Sequence, residues 1–181
     1  MRIIICMTDF KGFSVNFIST WYPRICGIAN FTEHTVKAIG LNEDDIRHIK
    51  IHPIDKNGLT YHFPLRDKHV IKQMDPSSWI DAADMIIDRY RKNDAKDIIT
   101  VAILEHEYGL DGNGHDTNYN EVARRLNHAG VPNVVVLHTI LKHPDDHQRD
   151  VIQQFGEHCD RLVIITPSSR DILKQVYGID D

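Results

Sequence analysis

Residues 131–139 read VPNVVVLHT, and this stretch decides the fold. From Val131 to Leu137 the run is almost continuously apolar, rich in β-branched side chains and short, which reads as a strand. A strand this apolar is buried on both faces, as strands of parallel sheets are. Upstream, Tyr119, Val122, Ala123, Leu126 and Ala129 recur three and four apart and predict a helix closing at Gly130. Downstream, Val151, Ile152 and Phe155 predict another helix, followed by a strand over Leu162 to Ile165. A last helix, with Ile172, Leu173, Val176 and Tyr177, finishes at Gly178. Toward the N-terminus a strand is expected over Ile98 to Leu104. Ahead of it, Asp75-Pro76 opens a helix with proline at its first position. Trp79, Ala82, Ala83, Ile86, Ile87 and Tyr90 form its apolar stripe. Phe13 to Ser19 (FSVNFIS) alternates with a period of two, and Ile46 to Ile51 suits a second strand. Asn30-Phe31-Thr32-Glu33 reads as a capping box that starts a short helix stopping at Gly40. Pro53, Asn57-Gly58 and Pro64 predict loops or a hairpin within residues 52–74. Alternating strands and helices predict one open α/β domain over residues 1–181, with a mainly parallel sheet and helices on both faces.

Composition narrows the function. The 181 residues can bury a core without staples, and 41% hydrophobic with 26% charged residues is ordinary for a globular chain. A net charge of -5 disfavours the phosphate backbone of nucleic acid as a partner. Cys6, Cys26 and Cys159 form no CxxC pair and suggest no disulfide framework, so a reducing cytoplasm is the expected location. The opening MRIIICMTDFKG is interrupted too soon by Asp9 and Lys11 to read as a signal peptide. No run approaches the roughly 18 apolar residues of a membrane span, which leaves peripheral membrane contact open. Twelve histidines invite a metal reading. Against it, His106-Glu107 is followed by Leu110 where a zinc helix would place histidine, and His138, His143 and His147 straddle a proline-containing loop. No metal site is expected. Neither a Gly-x-Ser-x-Gly elbow nor a phosphate-binding P-loop is present.

Sheets of this class bind ligands beyond the carboxyl ends of their strands. After the strand 13–19 comes TWYPRICGIANFT, in which Gly27 and Ala29 are small and a helix starts close by. A helix start carries free N–H groups and partial positive charge, so the loop suits a phosphate; an ordinary tight turn is the plainer alternative. After 98–104 comes EHEYG. There His106 and Glu107 point to opposite faces if the strand persists, so only one enters a given pocket. After 131–137 comes His138-Thr139, with an imidazole able to donate and accept. Solvated strand ends would leave both clusters without a task.

With these three stretches placed on strand ends, the chain resembles the N-terminal domain of a retaining, GT-B-type glycosyltransferase of family 4, in a bacterial branch. The shared elements are Pro-Arg-x-Cys-Gly-Ile-Ala with a Phe-Thr helix start (Pro23 to Thr32), His-Glu-Tyr-Gly (His106 to Gly109), and Leu-His-Thr with a later proline (Leu137 to Pro144). The resemblance covers about residues 13–181. It implies a Rossmann-like, acceptor-side domain whose partner domain holds a nucleotide sugar. Cys26, Gly27, Ile28 and Ala29 would face the donor diphosphate. His138 would lie by the donor sugar, and Glu107 would share its catalytic role. His106, Tyr108 and Gly109 would line the acceptor side. Substitution is then front-face: the leaving phosphate takes the acceptor proton, and neither metal nor cofactor is needed. Partners would be a nucleotide sugar, a glycan, lipid or small-molecule acceptor, and a C-terminal donor domain of the same polypeptide.

The chain departs from the pattern at Glu105, where the branch has an amide, at DGNGHD in place of a Gly-Gly loop, and at Asn30 and Thr166. Asp181 falls where a linker to the donor domain would begin, and the acidic pair that holds the nucleotide sugar has no counterpart. Half an enzyme, inactive alone, is therefore expected. The rival is a free-standing α/β ligand-binding or regulatory module. Residues 1–12 have no counterpart, and Arg2 to Met7 could add an edge strand.

Overall fold

A computed structural model describes residues 12–41, 46–56, 59–63, 65, 69–94, 98–112 and 117–180. Among them six strands form one sheet: β1 (Phe13–Ser19), β2 (Ile46–Asp55), β3 (Ile71–Lys72), β4 (Ile99–His106), β5 (Asn133–Leu137) and β6 (Arg161–Ile164). All pair in parallel, in the order β3-β2-β1-β4-β5-β6. This is the Rossmann-like, doubly wound arrangement, and its direction reverses between β1 and β4. The helices are α1 (Gly27–Leu41), α2 (Pro76–Asp94), α3 (Asn118–His128), α4 (Asp146–His158) and α5 (Ser168–Ile172), the last running into a π-helical turn at Leu173–Tyr177. None is long and apolar enough to cross a membrane.

Parallel strands need right-handed crossovers, so reversing the direction of winding puts the helices of the two halves on opposite faces. Val36 and Ile39 of α1 cover Val15, Phe17 and Ile51 on one face. The other face carries Ile18, Ile54, Ala102, Leu104, Val135 and Leu137, packed under α2, α3 and α4. Trp79 and Tyr119 meet edge to face at 4.8 Å between ring centroids and anchor that larger core.

Four local expectations are corrected. Helix α1 begins at Gly27, ahead of the expected capping box. Cys26 takes the capping role: its Sγ accepts from the Ala29 N–H at 3.4 Å. The Asn30 N–H donates to the Cys26 carbonyl, and Glu33 pairs with Lys37 rather than reaching back to a cap. Strand β2 runs past Ile51 to Asp55, through Pro53. Its outer side is paired only from Ile54, opposite Ile71, and an edge tolerates proline. Of the loops or hairpin expected there, the described residues between β2 and β3 are loop, and the two strands pair in parallel rather than as a hairpin. Strand β4 extends two residues past Leu104, to His106. The possible edge strand at Arg2 to Met7 and the turn at Asn57-Gly58 lie outside the described residues.

Candidate functional site

The reversal of strand order leaves a crevice at the carboxyl ends of β1 and β4, the place where such sheets take ligands. The loop leaving β1 supplies one wall. Ser19 Oγ and Thr32 Oγ1 lie 2.7 Å apart and pin α1 to the end of its strand. Thr20 Oγ1 lies 3.1 Å from Cys26 Sγ, which fixes the thiol at the helix start. Gly27 is exposed, and a side-chain carbon built there would meet nothing within 4 Å, so the first turn of this 15-residue helix is open on its outer side. Ala29 is buried and Ile28 packs partly against the larger core, so of the four residues of this loop motif Gly27 is the exposed one.

The end of β4 supplies the floor. Residues alternate across a strand, and the two extra residues of β4 decide which side each polar group takes. His106 continues the row of Ala102 and Leu104 and is fully buried, edge-on to Tyr108, Tyr119 and Phe155 at centroid distances of 5.3, 5.5 and 4.9 Å. It lies beneath the rim, where the sequence had placed it on the rim. Glu105 points the other way. Its Oε2 lies 2.8 Å from His138 Nε2, and the His138 ring stands edge-on to Phe31 of α1 at 4.9 Å. Glu105 is 0% exposed, and the Tyr119 hydroxyl donates to its carbonyl at 2.8 Å.

Glu107 is half-buried and braces the loops. Its Oε1 accepts from the Tyr108 N–H at 3.0 Å and its Oε2 from the Thr139 hydroxyl at 2.7 Å. Tyr108 donates its hydroxyl to the Gln148 carbonyl. Gly109 has φ 79°, a left-handed conformation that favours glycine, and its carbonyl accepts from Gln73 Nε2 at 2.7 Å. That bond joins the β4 loop to a neighbouring hollow of about 500 Å³ at the carboxyl ends of β2 and β3, lined by Asp55, Lys56, Tyr61, Lys72 and Met74.

Helix α1, Glu105, His138, Glu107 and Thr139 are therefore brought together, and His106 is set apart. No protein-family model matches the chain, and no curated protein matches its sequence. Among the described residues no cluster of three or more His, Cys, Asp or Glu side chains could hold a metal ion. What the crevice offers is hydrogen bonding and charge: N–H groups at a helix start, one imidazole and two carboxylates. Sequence reading missed Glu105 as a site residue. The available signal was its parity with His138 and its place as a lone charge closing an apolar run.

Proposed function

We propose that this chain is the acceptor-side, Rossmann-like half of a retaining glycosyltransferase, moving a sugar from a nucleotide-sugar donor to a glycan, lipid or small-molecule acceptor. One observation carries the reading. Two motif stretches far apart in sequence, the start of α1 and His138, meet through the Phe31–His138 contact at the point where the strand order reverses. The N–H groups and positive end of α1 suit a leaving diphosphate. His138 suits a hydroxyl of the donor sugar. The hollow beside β2 and β3 gives an acceptor room within reach of the β4 loop.

In the reaction the bond from the anomeric carbon to the donor phosphate breaks. A bond to the acceptor oxygen forms on the same face, and the acceptor proton passes to the departing phosphate oxygen. The protein's part is orientation and stabilisation of the developing charge. A second lobe would hold the nucleotide. The test is sugar transfer by the full reading frame against a panel of nucleotide sugars, with the product anomer read by NMR. Transfer with retention is expected. Inversion, or neither binding nor transfer across the panel, overturns the reading, and strong transfer by these 181 residues alone overturns the half-enzyme part of it.

A further inference from the structure

We propose that Glu105 is a positioning residue: it holds His138 by Nε2, so that the bare Nδ1 nitrogen meets the ligand, which must offer a hydroxyl donor there. The Nε2–Oε2 contact is 2.8 Å, with the Glu105 side chain at 0% and the His138 side chain at 10% exposure. An ionised carboxylate can only accept, so a neutral imidazole brings its N–H to Glu105 and keeps its lone pair on Nδ1. A neutral amide at this position could donate or accept, and would leave either tautomer open. Nδ1 has no hydrogen-bond partner among the described residues. The Phe31 ring packs against the imidazole at 4.9 Å between centroids, nearly perpendicular to it.

The carboxylate is a poor choice for stability. Its second oxygen, Oε1, is buried and makes no hydrogen bond among the described residues. A buried, half-satisfied carboxylate is costly, and such costs persist where a function uses them. A lone pair on Nδ1 recognises an O–H donor and rejects a carbonyl or an ether at the same place. The sugar-binding part of this inference rests on the transferase reading above; the lock on the imidazole does not.

The test uses this chain and its Glu105→Gln variant, labelled with nitrogen-15, at a pH where imidazole is neutral. Wild type should give a pyrrole-type signal at Nε2 of His138 and a pyridine-type signal at Nδ1. Glu105→Gln should give averaged signals with an unchanged or higher melting temperature. Averaged or reversed signals in the wild type overturn the lock. A marked loss of stability in the variant overturns it too, since a structural role predicts that loss. In the full reading frame, Glu105→Gln should lower kcat/KM at least tenfold for a sugar bearing the hydroxyl and much less for its deoxy analogue. Equal losses overturn the hydroxyl assignment. If the nitrogen signals are as expected but no nucleotide sugar is turned over, the lock stands and the transferase reading falls.

Discussion

His52 should make this protein sensitive to acid, and replacing it should remove that sensitivity. The residue lies on β2, is fully buried, and neither ring nitrogen has a partner among the described residues. Burial pushes its pKa down from the usual 6.5 to about 3, helped by the nearby positive charges of Lys50, His69 and Arg89. The sign follows from linkage. Between the two values the unfolded chain takes up a proton that the folded chain refuses, so stability falls as pH drops below about 6.5. At 1.36 kcal/mol per unit, about 2 kcal/mol is lost by pH 5, and the loss grows until about pH 3. Leucine at this position, close in volume and with nothing to protonate, should be no less stable near neutrality, because two unsatisfied nitrogens are removed. Urea unfolding of wild type and His52→Leu at about pH 7.5 and about pH 5 measures the effect, and comparing the two proteins cancels the other histidines. Wild type should lose about 2 kcal/mol more than the variant. Equal losses would show that His52 is protonated in the folded protein and that the burial argument is wrong.

Other outcomes test the site and its supports. In the full reading frame, His138→Ala and Glu107→Gln should each lower sugar transfer by roughly tens-fold or more with the fold intact by circular dichroism, as expected for losing one preorganised polar group. Tyr119→Phe removes the hydroxyl that bonds the Glu105 carbonyl and should cost about 1 kcal/mol in urea unfolding. Burial beside Asp160 pushes the Cys159 thiol up to about 12. It should therefore resist a disulfide reagent at about pH 8 until denaturant is added, as followed by mass spectrometry of the labelled peptides.

Much of the fold was legible because its signals are local. The apolar run through Val135 and the stripes on α2 and α3 are periodicities a reader can count, and proline at the start of α2 is plain punctuation. The boundaries were less legible. Asn30 carries the right side chain for a cap, but Cys26 four residues earlier already holds the first turn, and nothing in the local pattern ranks a thiol above an amide. Pro53 reads as a break, yet β2 passes through it because its outer edge is still unpaired there. At the site, EHEYG announced a polar strand end but not which residue faced which way. Two more residues of β4 sent His106 into the aromatic core and Glu105 to His138.

By itself the sequence determined the class of the protein, since alternating apolar strands and amphipathic helices can bury their faces only as a parallel sheet covered by helices. It also placed the candidate chemistry at strand ends. The tertiary structure decided which strand ends are neighbours. The order β3-β2-β1-β4-β5-β6 sets β1 beside β4, and β5 next to β4, although 79 residues lie between the first pair in the chain. Pairing partners depend on long-range packing and crossover handedness, which no local window contains. That same packing turned Glu105, a lone charge in an apolar run, into the buried partner of His138.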